Sequence, residues 1–160
     1  MNEDATRTTD SSSIDAERRP DAALQRVLVA YDGSPPSRRA ALLALALART
    51  CGGRVWFVHA HQRDRATAEP LTDEAYVAPM RAISRSMSRL VSEASSSRIP
   101  SEVVVREGSP ADVIETVASE VGASLIVVGT RGLGGAARLI LGSVSAQVVG
   151  HSKVPVVVVP

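Results

Sequence analysis

A chain of 160 residues is the length of one ordinary domain, and its 44% hydrophobic content is enough for a core, which excludes wholesale disorder. Aromatic residues make up only 2% (Tyr31, Trp56, Phe57, Tyr76) and the net charge is +1, which argues against a base-stacking platform and against a basic duplex binder. One cysteine, Cys51, excludes an internal disulfide or a thiolate metal cluster; with no apolar run of membrane-spanning length and no signal-peptide core, the expectation is a soluble cytoplasmic protein with neither membrane nor nucleic-acid partner.

The opening residues are polar, carry a Ser-Ser-Ser run, and set Glu3, Asp4, Asp10, Asp15 and Glu17 against Arg7, Arg18 and Arg19. This composition predicts a disordered arm over residues 1–22, with the domain proper over 23–160. Order is expected to begin at Arg26-Val27-Leu28-Val29-Ala30-Tyr31, apolar on both faces as suits a central parallel strand. Asp32-Gly33-Ser34-Pro35-Pro36 ends that strand, and Ser34 is placed to cap an Ala-Leu-rich helix over 37–50, closed by Gly52-Gly53.

A second strand follows at Val55 to Ala60, then a polar, irregular stretch over Gln62 to Ala78. Met80, Ile83, Met87, Leu90, Val91 and Ala94 recur at helical steps and mark an amphipathic helix. Glu102 to Arg106 reads as strand three. Ser109-Pro110-Ala111-Asp112 reads as cap, first-turn proline and N-terminal acid of a helix reaching Val121. Strand four is Leu125 to Val128, a short helical segment runs from Val144 to Val149, and strand five is Val156-Val157-Val158-Val159. Such alternation predicts an α/β fold, a five-stranded parallel sheet with helices on both faces, Rossmann-like, and its strand order is taken as 3-2-1-4-5.

Ligands of doubly wound sheets bind beyond the carboxyl ends of the strands, where the strand order reverses. Two unusual segments follow the strands flanking that point. Asp32-Gly33-Ser34 follows the first, and Gly129-Thr130-Arg131-Gly132 follows the fourth, continuing to Gly142-Ser143. Glycines allow backbone N–H groups to approach a phosphate, and a helix opening at Ser143-Val144 turns its amides toward an anion. After Glu120 the chain has no acid, while Arg131, Arg138 and Lys153 remain, so a cationic field around the loop is expected. Lys153 is the sole lysine, so no Walker-type lysine is available.

The residues Gly129-x2-Gly132-x9-Gly142-Ser143, after a Val-Val strand and before a Val-rich final strand, resemble the nucleotide-binding signature of the universal stress protein family. Val-Leu-Val-Ala-Tyr-Asp32-Gly33-Ser34 resembles that family's opening strand and acidic turn, and Gly108-Ser109-Pro110-Ala111-Asp112-Val113-Ile114 the start of its third helix. The likeness covers Val27 to Pro160. It implies the family's ATP-binding branch and a fold of the adenine nucleotide alpha-hydrolase type. The expected function is that of a bacterial stress-response regulator, a homodimer joined through Val156, Val157, Val158 and Val159, with an unidentified regulatory partner. Carried over by position, Gly129, Gly132, Gly142, Ser143 and Val144 would hold ribose and phosphates. Ala30 and Asp32 would lie against adenosine, Val58 would meet adenine with its backbone, and Val128 and Arg131 would complete the set. The cofactor implied is ATP or another adenine nucleotide, with Mg²⁺ held through its phosphates.

Other readings fit less well. Gly132-x-Gly134-x-x-Ala137 matches a dinucleotide fingerprint in form, but the required downstream acid is missing. Asp32 lacks the clustered acids of a phosphorylatable receiver, and its plain alternative is turn capping. His59 and His61 share a strand face without a third ligand, Cys51 reads as a small buried residue, and no nucleophile pairs with a base. A binding module is therefore favoured over a slow ATP hydrolase in the same pocket. A cyclic-AMP-binding protein and a nucleotide-free interaction protein remain as alternatives.

Overall fold

The computed structural model describes residues 24–62, 73–130 and 141–160. Along them run β1 (Arg26–Ala30), α1 (Pro35–Cys51), β2 (Arg54–His61), α2 (Asp73–Ser96), β3 (Ser101–Glu107), α3 (Pro110–Glu120), β4 (Leu125–Gly129), α4 (Ser143–His151) and β5 (Val156–Val159). The strands form one sheet in the order β3-β2-β1-β4-β5, every pair parallel, as the alternation predicts. β4 is buried at every position, and β1 at its three central ones, which is why both read as unbroken apolar runs.

Each face of the sheet carries its own core. Val27, Val29, Phe57 and Val127 meet Ala40, Ala41, Ala44 and Ala48 of α1 and Met87, Leu90 and Ala94 of α2. The row of alanines lets α1 lie close to the strands. On the opposite face, Leu28, Trp56, Val58 and Ile126 meet Ile114 and Val117 of α3 and Val148 of α4.

Below this second core, at the amino ends of the strands, Arg26 closes the base of the sheet. Its Nε donates to the carbonyls of Val121 (2.8 Å) and Gly122 (2.9 Å), just past α3. Its guanidinium lies 5.1 Å from the Trp56 ring centre, and that of Arg54 lies 4.8 Å away.

Several boundaries differ from expectation. Helix α1 starts at Pro35 rather than Ser37, because both prolines occupy its first turn, where their missing N–H groups have no helical partner to lose. Helix α2 starts at Asp73, inside the stretch expected to be irregular, and runs through Pro79. Pro79 is exposed, so the carbonyl deprived of its helical partner lies toward water, while Val77 and Met80 continue the half-buried apolar side. Ser109 precedes α3 without making a side-chain cap bond. Cys51 is partly exposed at the end of α1, not buried. The expected arm, residues 1–22, lies outside the described residues, as does most of the Gln62–Ala78 stretch before Asp73.

Candidate functional site

The carboxyl end of β1 feeds a turn held by three short side chains. Asp32 Oδ1 accepts the Ser34 N–H at 3.0 Å, which bends the chain back over itself. Ser34 then caps α1, its Oγ accepting the Ser37 N–H at 3.3 Å, while the Ser37 hydroxyl donates to the Ser34 carbonyl at 3.0 Å. Gly33 sits at φ 83°, and a Cβ there would come within 2.9 Å of Ile83 Cδ1, so α2 backs the turn directly.

At the end of β4, Gly129 has a packing role. A Cβ on it would lie 2.8 Å from the Ser37 nitrogen and 2.9 Å from the Pro36 carbonyl carbon, both backbone atoms of α1's first turn. The glycine therefore lets β4 and the start of α1 touch, which draws the two candidate segments together. Thr130 continues the ladder by donating its N–H to Val159 O at 2.8 Å.

The Thr130 carbonyl closes the glycine loop. It accepts the Gly142 N–H at 2.7 Å and lies 2.9 Å from the Ser145 hydroxyl, which is itself buried and 3.0 Å from the Gly142 carbonyl. The chain thus leaves the sheet at Thr130 and returns to the same point to start α4. Gly142 caps α4 with no side-chain hydrogen bond, and the first helical bond runs from Ala146 N to Gly142 O. The amides of Ser143, Val144 and Ser145 accordingly have no partner within the helix, and its positive end faces out.

The sequence-derived residues fall into three groups. Asp32, Gly129, Gly142, Ser143 and Val144 stand at the facing ends of β1 and β4, which are neighbours in the sheet. Ala30, Val58 and Val128 line the strands beneath them, with Ala30 half-buried and the other two buried. The Val58 carbonyl accepts the Tyr31 N–H at 2.8 Å, and Val144 packs its side chain into the core, leaving its N–H as the group turned outward. Arg131 and Gly132 lie outside the described residues, as does Arg138. Lys153 does not belong to the loop's field: it follows α4, a helix of nine residues, at the far end from Gly142.

Three residues were given no role by the sequence reading, although Thr130 lies within one of its candidate segments. Ser145 and Thr130 clamp the loop, and the only trace of the clamp is a second serine two positions after Ser143. Ala60 shares a face with Ala30 and Val58, and by continuing the register it stands level with Asp32. The signal was an alanine in each strand's last turn outward, where a valine would fill the space. His59 turns to the other face, its Nδ1 2.9 Å from the Tyr31 carbonyl, so the ring carries a hydrogen on that nitrogen. Among the described residues no group of three or more His, Cys, Asp or Glu is arranged to hold a metal ion.

Comparison with known proteins agrees with this geometry. The chain matches the universal stress protein family over residues 23–160. A Thermus aquaticus protein, described as a universal stress protein in the QAH/OAS sulfhydrylase 3′ region, is 37% identical over 135 residues, covering 83% of this chain and 96% of its own. A crystal structure of a universal stress protein in complex with cAMP is 32% identical, with a TM-score of 0.62 over 84% of this chain and 95% of that one. The universal stress protein of Archaeoglobus fulgidus in complex with dAMP is 27% identical, with a TM-score of 0.62 over 85% and 98%. With sheet order, turn and loop closure in place and the match running through both cores, the chain belongs to the universal stress protein family.

Proposed function

We propose that this protein is an adenine-nucleotide-binding module of the stress response, with ATP as its ligand and Mg²⁺ arriving on the phosphates. The observation that carries the reading is the loop closure at Thr130. It sets the first amides of α4, which have no partner within the helix, toward the Asp32 turn at the point where the strand order reverses. Solved structures of two relatives of the same fold are complexes with cAMP and dAMP, which supports an adenine nucleotide as the ligand class. Phosphates would lie on the Ser143–Ser145 amides, with Gly132 and Arg131 as further nucleotide-binding residues. The base would rest against Ala30, Val58 and Val128.

Binding without required turnover is the reading these groups support. Asp32 Oδ1 accepts the Ser34 N–H, a turn-forming role that calls for no turnover. The nucleotide would instead set the shape of a cytoplasmic homodimer joined at β5 and its affinity for a regulatory partner.

The test is to denature purified protein and identify any released nucleotide chromatographically, beside a Gly132→Val variant. An adenine nucleotide present in the wild type and lost from the variant is the expected result. A wild type that is empty and binds neither ATP nor cyclic AMP at ~1 mM, where binding is worth ~4 kcal/mol, overturns the reading.

A further inference from the structure

The outward side of α2 carries a pattern that the nucleotide site does not use. From Arg81 the sequence repeats every four residues as Arg-Ala-Ile-Ser, Arg-Ser-Met-Ser and Arg-Leu-Val-Ser. A period of four on a helix sets Arg81, Arg85 and Arg89 in one column, ~6 Å apart along the axis. All three are exposed, and among the described residues none forms an ion pair.

The serines beside them are exposed as well, but their hydroxyls are engaged by the helix's own backbone. Ser88, Ser92 and Ser96 each donate their hydroxyl to the carbonyl four residues back, at 2.9 to 3.0 Å, which leaves the guanidiniums standing clear. Like charges four residues apart repel, and surface helices ordinarily interleave acids to relieve this. Here the acids at the same four-residue step stand outside the three arginines, Asp73 eight residues before the first and Glu93 four after the last. A helix built this way is suited to a strip of negative charge supplied from outside it.

The chain itself contains such a strip. Residues 8–17 include Asp10, Asp15 and Glu17 and no base. The chain enters the described structure at Leu24, which packs against the core cluster containing Met87, Leu90 and Ala94 of α2 and also Ile99. The segment is therefore tethered beside the end of α2. At ~3.3 Å per residue, Asp15 reaches up to ~30 Å from Leu24 and Asp10 up to ~46 Å. The column from Arg89 to Arg81 is ~12 Å long and begins within that range.

We propose that residues 8–17 dock along the solvent face of α2, pairing Asp10, Asp15 and Glu17 with the Arg81–Arg85–Arg89 column as an acidic strap. Tethering makes the contact intramolecular, so individually weak exposed pairs act at high effective concentration. The strap covers the helix that backs the Asp32 turn through Ile83 and Gly33, and an acidic partner for this surface has to displace it. The proposal does not depend on which nucleotide the protein binds.

A nitroxide on Ala82→Cys in a Cys51→Ala background places a paramagnetic probe within the column, and the readout is the amide linewidth of residues 8–17 in the full chain. Docking predicts several-fold broadening at low salt. It predicts recovery both toward ~1 M salt, where the Debye length is ~3 Å, and in an Arg85→Gln/Arg89→Gln variant. Asp10→Asn/Asp15→Asn/Glu17→Gln, which leaves the folded part untouched, is expected to abolish the broadening as well. Absent broadening, or broadening indifferent to salt and to both sets of substitutions, overturns the proposal and leaves the column to an acidic segment of another protein.

Discussion

Gly129 shows how one residue can join two parts of a site through its packing. Its φ lies outside the left-handed region, so the backbone does not demand glycine there. The demand comes from the approach of α1, whose Ser37 nitrogen and Pro36 carbonyl carbon would stand 2.8 and 2.9 Å from a Cβ. Both are backbone atoms and cannot swing aside as a flexible side chain would. Gly129→Ala is therefore expected to destabilise the fold by about 1–3 kcal/mol through overpacking, read as a lower urea midpoint. An unchanged midpoint would show that the first turn of α1 gives way. Gly33 differs, because its neighbour Ile83 Cδ1 is the end of a side chain, yet φ 83° makes any larger residue costly there.

Among the elements, α3 is held by two devices of unequal strength. Arg106 on β3 meets Glu120 through both guanidinium nitrogens, at 2.8 and 2.7 Å. The hydrogen bond from Arg106 holds the Glu120 carboxyl below its ordinary range, so the pair stabilises at neutral pH and fades as acid titrates that carboxylate. Both groups are exposed, which keeps the contribution small. Arg26 does more, because it satisfies carbonyls just beyond α3 and covers Trp56, a buried residue. Arg26→Gln is expected to cost about 1–2 kcal/mol, a charged hydrogen bond plus part of a cation–π contact, seen as a lower urea midpoint. Nucleotide affinity should stay unchanged, since Arg26 opens β1 at the amino ends of the strands and Thr130 follows β4 at their carboxyl ends; a parallel fall in affinity would contradict the separation of base and site. The elements themselves were largely legible, because apolar runs and helical spacing are local signals, and the parallel sheet follows from alternation, which leaves the strand order open. The start of α2 was not, since Pro79 and polar neighbours mimic a loop when the side they turn to water is unknown. Nor was the clamp by Ser145 and Thr130, which depends on two distant chain positions meeting. The misplacement of Lys153 had the same origin: nearness in sequence to the loop put it at the wrong end of a helix.

At the scale of the whole molecule, the two sheet edges differ in how they are protected. β3 carries Glu102, Arg106 and Glu107 along its exposed length, charges that discourage edge pairing. β5 has no charge, is half-buried at all four valines, and stands between two apolar flanks. On one side lies α1, whose Arg39 reaches the Pro160 carbonyl and whose Leu43, 37% exposed, follows one turn later. On the other side lies α4, with Val149 at 48% exposure. A two-fold pairing of β5 with its copy would bury both edges and bring each flank against its counterpart, the geometry of an isologous interface. Val157 is a poor probe of that interface, because it packs against the α1 core and a charge there would disturb the monomer. Leu43→Glu and Val149→Glu probe it better, each being exposed within a single chain. We expect the double variant to keep its thermal midpoint at low concentration while its dimer dissociation constant in sedimentation rises at least tenfold, about 1.4 kcal/mol. A wild type that sediments as a monomer throughout would leave β5 protected only by its own shortness, and a variant that dimerises as tightly as the wild type would place the assembly elsewhere.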